Sequence, residues 1–165
     1  MKLDGIIDEI AGATVVKKAI SAPEVLNEAY DYPRPSSFSR AMRVELNELV
    51  ILFISGTASV DENGKSVHIG DLRAQARRMF KNVTALLKHG GAAWKDVVRT
   101  RYYLRDIDRD YAAFNEERTA FYREQGLDPL PSSTGIEAKL CRPELLVEMD
   151  AIAIFREPRQ AEHSP

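Results

Sequence analysis

Two hydrophobic periods take turns along this chain. Residues 15–20 (Val-Val-Lys-Lys-Ala-Ile) have the length and β-branched content of a first short strand. Ser39 to Glu45 and Leu49 to Ser55 read as two strands joined by a tight turn at Leu46-Asn47-Glu48. The second is apolar throughout, the pattern of a strand buried on both faces. Asp61-Glu62-Asn63-Gly64 holds the Asn-Gly pair of a type I′ hairpin turn, flanked by Val60 and Val67. At Asp71 the period lengthens. Leu72, Ala76, Met79, Phe80, Val83, Leu86 and Leu87 recur at helical spacing until Gly90-Gly91 stops the helix. Val97 to Leu104 returns to strand chemistry. A second helix runs from about Asp108 to Gln125, with Phe114, Phe121 and Tyr122 towards the core and Gly126 at its end. Two further strands, Ser133 to Leu140 and Leu146 to Phe155, complete the pattern.

The flanks carry weaker signals. Leu3, Ile6, Ile7 and Ile10 suit a short amphipathic helix ended by Gly12. Pro33 and Pro35 keep Tyr30 to Ser37 out of a helix, so this stretch is a connector loop. The polar residues from Glu157 to Pro165 are expected to fray. The order interleaves strands with helices, while the hairpins exclude an all-parallel sheet. The expected fold class is therefore α/β (α+β): a mixed sheet of about six strands with two helices packed on one face. On the strand 97–104, Arg99, Arg101, Tyr103 and then Arg105 point away from the helices. A sheet face that is half apolar and half charged suggests a subunit interface or a cleft.

Composition narrows the function. The 165 residues, 44% apolar and 29% charged, fit one globular domain. A net charge of −2 without a basic run gives no footprint for nucleic acid. The apolar run Leu49 to Ile54 is far short of the ~20 residues that span a bilayer, so no membrane partner is expected. Asp4, Asp8 and Glu9 at the start do not suit a signal peptide, and a cytoplasmic location is expected. Cys141, the one cysteine, cannot form an internal disulfide and reads as an inert thiol. His68, His89 and His163 are scattered, and no Gly-rich phosphate loop occurs, so neither metal nor cofactor is expected. Asp106-Ile107-Asp108-Arg109-Asp110 resembles the start of a calcium loop, but Tyr111 stands where the sharp turn needs glycine. Asp108 and Asp110 instead suit the N-terminus of the second helix.

What remains is a constellation. Ile54-Ser55-Gly56-Thr57 ends a strand with small residues, where backbone N–H groups can approach a ligand. Ser133-Thr134-Gly135 begins another strand in the same style. Glu148 and Asp150 share one face of a mostly apolar strand. A carboxyl group there has a raised pKa and suits acid/base work. From spacing alone, the preferred reading is a salt bridge from Glu148 to Arg99 or Arg101.

These residues, taken in order from about Phe38 to Ile154, resemble the Rid family, the reactive-intermediate (imine) deaminases also called YjgF-like or L-PSP proteins. The carriers are Ile54-Ser55-Gly56, Gln75, Asn82, Gly91-Ala92-Ala93-Trp94-Lys95-Asp96, Tyr103-Leu104-Arg105-Asp106, Phe114-Asn115-Glu116 and the strand around Glu148. The resemblance divides the chain into an N-terminal extension with the first strand (1–37), a Rid-like domain (38–156) and a tail (157–165). It implies a chorismate-mutase-like fold and a homotrimer with small-molecule clefts between subunits. It places Ser55, Gly56, Asn115 and Glu148 in the site, with Glu148 positioning or activating water. Three positions depart from the family. Phe38 stands where a tyrosine is common, Ser133 where an arginine grips the substrate carboxylate, and Gly135 where a cysteine is usual. A hydroxyl cannot replace a guanidinium fork. Sheet-face alternation puts Arg101 or Lys139 forward as the substitute, and Ser55, Thr134 or backbone amides as oxyanion donors. A thinner resemblance links Ser55 to Val60, Val67 to Asp71 and Thr134 to Glu137 with the Rid-like half of chorismatases. The expected function is binding of a small polar metabolite, carboxylated or not, in an intersubunit cleft, with hydrolysis of an imine, enamine or related compound. The alternatives are a non-catalytic binding or regulatory protein and a chorismatase-like hydrolase.

Overall fold

The computed structural model describes residues 14–32 and 34–157. The expected N-terminal helix, and the tail beyond Glu157, lie outside them. Six strands form one mixed sheet: β1 (Val15–Ile20), β2 (Ala41–Leu46), β3 (Leu49–Ala58), β4 (Val97–Leu104), β5 (Ser132–Glu137) and β6 (Val147–Arg156). Two 18-residue helices, α1 (Leu72–His89) and α2 (Ile107–Glu124), cover one face. The spatial order is β1-β2-β3-β6-β4-β5. Only β4 and β5 run parallel; every other neighbouring pair is antiparallel. The last strand therefore does not pair with the one before it. It enters between β3 and β4 and becomes central.

Alternation puts Val50, Leu52 and Ile54 of β3, Tyr102 and Leu104 of β4, and Val147, Met149, Ala151 and Ala153 of β6 against the helices. The helical-period residues of α1 meet them, and all seven are buried. An aromatic cluster fills the space between the helices and β4. Phe80 stacks on Phe121 with ring centroids 4.3 Å apart, and the Tyr102 and Tyr122 hydroxyls share a 2.6 Å hydrogen bond. The opposite sheet face is uncovered, leaving Leu49, Phe53, Ile136 and Ile154 exposed. So β3 is buried on one face in this chain, not on both. Its apolar run belongs to a face that the chain itself does not cover.

Two local expectations are corrected. Gly64 has φ +75°, but Asn63 does not share a positive φ, so the hairpin is not type I′. Asp61 instead accepts the Asn63 and Lys65 amides on its side chain, at 3.0 and 2.8 Å, while Gly64 takes the left-handed position. The cap of α2 is Asp106, which accepts the Arg109 amide at 3.0 Å; Asp108 and Asp110 lie in the first turn. A single 3-10 turn, Ala29–Asp31, opens the proline-containing connector. Glu157, the first residue of the expected tail, is held: its amide donates to the Glu48 carbonyl and its carboxylate pairs with Arg43.

Candidate functional site

Two buried amides of α1 fix the strands that carry the site. The Asn82 side chain donates to the carbonyls of Ala58, the last residue of β3, and Val60 just past it, at 3.0 and 2.8 Å. Gln75 donates to the Glu144 carbonyl and accepts the Leu146 amide, which sets the entry to β6 two residues before Glu148. Between these anchors β3 has an irregularity, and its register against β6 shifts between Ile54 and Thr57. Gly56 lies in that irregularity. A Cβ there would come within 2.1 Å of Glu148 Oε1, so only glycine lets the carboxylate lie across the strand.

Glu148 is half-buried on the uncovered sheet face. No donor among the described residues bonds its carboxylate. Burial raises its pKa first, and the Asp150 charge raises it further; Arg142 and Arg40 act in the opposite sense. The alternative of a salt bridge from Glu148 is resolved by its neighbour. Arg101 Nε sits 3.0 Å from both Asp150 oxygens, and Tyr103 donates to Asp150 at 2.7 Å. The ion pair exists, on Asp150, and Glu148 stays unpaired.

Glu148 borders a cavity of about 470 Å³ with Phe38, Ser55, Gly56, Arg101 and Cys141 on its walls. Lys139 and Tyr103 line an adjoining recess, and Arg40 and Arg142 another. Ser55 is less free than expected. Its hydroxyl donates to the Ser39 carbonyl at 2.7 Å and its amide to the Arg40 carbonyl at 3.0 Å. It can accept a bond from a ligand, but its own proton is engaged. Cys141 is exposed and faces the same cavity as Glu148. Its sequence surroundings gave no sign of that, because the loop from 138 to 146 is placed by Arg105, which donates to the Leu145 and Arg142 carbonyls.

The remaining expected residues stand elsewhere. Thr134 lies opposite Arg101 in the β4/β5 register, on the uncovered face at the sheet's edge. Ser133 and Gly135 point the other way, towards α2. Ser133 Oγ accepts a bond from Arg118 at 3.2 Å, and a Cβ on Gly135 would meet the Tyr111 ring at 3.6 Å. Asn115 of α2 is on that side too, and its side-chain oxygen accepts from Arg118. So the structure brings Phe38, Ser55, Gly56, Arg101 and Glu148 together on one face. It brings Asn115, Ser133 and Gly135 together on the other. Within one chain the sheet separates the two groups.

Comparison with known proteins gives this arrangement a family. A family model described as endoribonuclease L-PSP matches residues 33–155. The chain belongs to that family. Among L-PSP relatives, a RutC family protein of Pyrococcus abyssi is 30% identical over 122 residues, covering 73% of this chain and 89% of the relative. The 3-aminoacrylate deaminase RutC of Acinetobacter baylyi is 31% identical over 103 residues, covering 62% of this chain and 78% of that protein. The YjgF gene product of E. coli superposes with a TM-score of 0.66 at 26% identity, covering 84% of this chain and all but 1% of its own (99%). The mixed sheet with two helices on one face is thus the L-PSP fold. Among the described residues no helix is long and apolar enough to cross a membrane.

Proposed function

We propose that this chain hydrolyses a small imine or enamine metabolite in clefts between neighbouring subunits of a homotrimer, with Glu148 as the acid/base group. The observation that carries this reading is the Glu148 carboxylate: half-buried, unpaired, raised in pKa and laid across Gly56 at the edge of a cavity. A carboxyl group kept from its ordinary range by burial sits closer to the pH at which it can both take and return a proton. In the proposed reaction Glu148 takes a proton from water as the oxygen attacks the C=N carbon. Glu148 gives that proton to nitrogen, forming the neutral carbinolamine, and then carries the hydroxyl proton to the amino nitrogen as the C–N bond breaks, so ammonia leaves with a carbonyl product. One water is consumed and the carboxylate is regenerated.

The split of the site supports the intersubunit placement. Glu148 with Ser55 and Phe38 lies on the uncovered face, and Asn115 with Ser133 and Gly135 lies on the helix side of the edge strand. A neighbouring subunit can set its β5–α2 edge against the open face and so join the two groups. Exposed Phe53 and Ile154, and the unpaired outer edge of β5, are the surfaces such packing would cover. The RutC relative is named a 3-aminoacrylate deaminase, which is the same class of chemistry.

Ammonia release from a 2-imino acid generated in situ tests the reading. Glu148→Gln is expected to lose about 100-fold or more of the rate, the usual scale of general acid–base catalysis. Equal rates would remove the acid/base role. The raised pKa also sets a sign. As pH falls, Glu148 is protonated earlier than an ordinary glutamate, so the base form and the rate decline at a pH above the ordinary value of 4.5. The committed proton of Ser55 favours one rival, a protein that binds such a metabolite without turning it over. That rival gives ligand-dependent thermal shifts and no ammonia.

A further inference from the structure

We propose that Arg118 supplies the guanidinium that grips a ligand carboxylate, taking over from strand position 133 by reaching across from α2. This rests on the cleft proposed above and names the ligand class it selects: a short-chain carboxylate.

Arg118 lies against the residue whose identity departs from the family. One terminal nitrogen donates to Ser133 Oγ at 3.2 Å and the other to the Asn115 side-chain oxygen. The guanidinium thus lies directly beside position 133. It is also oriented from below, with its central carbon 5.4 Å from the Tyr102 ring centroid and 5.7 Å from that of Phe114. Rings hold a guanidinium flat without neutralising it.

Its charge is uncompensated. Arg43, Arg73, Arg77, Arg78, Arg101 and Arg109 each pair with a carboxylate. Arg40, Arg105 and Arg142 donate to backbone carbonyls. Arg118 holds only a hydroxyl and an amide oxygen, both neutral acceptors, and no acid among the described residues reaches it. A guanidinium has five N–H donors, so the rest remain for a ligand. The space is present: a cavity of about 500 Å³ is lined by Arg118, Tyr122, Leu127, Leu130 and Ser133, with Arg123 as a second cation on its wall. A charged donor beside apolar walls suits a short carbon chain ending in a carboxylate. Arg101 does not fit the role, because Asp150 already holds it.

The test compares pyruvate with its neutral isostere pyruvamide, measuring affinity by titration calorimetry on the full chain. Wild type is expected to prefer pyruvate. Arg118→Gln is expected to weaken pyruvate binding roughly 10- to 100-fold while leaving pyruvamide unchanged, the scale of a lost charge-assisted contact. Adding Ser133→Arg to that variant is expected to restore most of the preference. Should the glutamine variant not fold, as judged by circular dichroism, Arg118→Met keeps the apolar stem over the two rings and reads the same loss. A pyruvate preference that survives in the folded variant, or a wild type that binds both probes alike, overturns the proposal. Glu148→Gln separates the two ideas. Undiminished turnover there sinks the acid/base role alone, and an unchanged preference in Arg118→Gln sinks the guanidinium assignment alone.

Discussion

At the scale of the residue, the site turns on what is small and what is unpaired. Gly56 is the smallest piece of it and among the least replaceable. Any Cβ at 56 collides with the end of the Glu148 side chain, a flexible group that can swing aside without disturbing the backbone. Gly56→Ala is therefore expected to melt within a few degrees of wild type yet lose about tenfold or more in turnover, because the base is displaced from its working position. Equal turnover with an unchanged Glu148 position would show that the close approach has no catalytic consequence. Periodicity placed Glu148 and Asp150 on one face, and that reading was sound. It could not tell which of the two would take the arginine, because Arg101 stands opposite Asp150 in the register while Glu148 stands opposite Tyr103. Arg118 was illegible for a related reason. A lone arginine in the middle of a helix looks like any solvated charge until Ser133, fifteen residues on, is seen against it.

At the scale of the element, local signals were read well and partnerships were not. α1 and Val97–Leu104 lie where their periods and stops put them, because burial of one face is written into each segment, while Val15–Ile20 was legible from its β-branched content alone, with only Ile20 buried. Asp71 was legible as a start, and its side chain accepts the Ala74 amide at 2.9 Å. Asp71→Ala is expected to cost about 1 kcal/mol in urea denaturation, the usual loss for a removed N-cap. A change much below that would mean water replaces the cap. The hairpin turn was misread because Asn-Gly favours type I′ only when nothing competes. Here the Asp61 carboxylate captures two downstream amides and draws the chain into a different turn. The side faced by Ser133 was not legible in the sequence. Alternation relates it to Thr134 and Gly135, but only the parallel register with β4 says which of them meets α2.

At the scale of the whole molecule, the proposed trimer accounts for a sheet that is covered on one face only. Phe53 is 44% exposed in the middle of that open face. Phe53→Asp is expected to shift the sedimenting species from trimer to monomer and to abolish turnover, while helix content is retained. A wild-type chain that sediments as a monomer would defeat the composite cleft outright. The apolar run of β3 hinted at this in the sequence, since it promises burial on two faces and one chain provides one.

The place of β6 has a consequence for synthesis. Among the described strands it alone joins β1-β2-β3 to β4-β5, and it leaves the ribosome last of the six. Until it is made, no strand can bridge the edges of β3 and β4, and the slot between them cannot be filled. The catalytic candidate rides in on the strand that fills that slot. Completion of the fold and arrival of Glu148 are therefore one event, and a chain cut short before residue 147 lacks both.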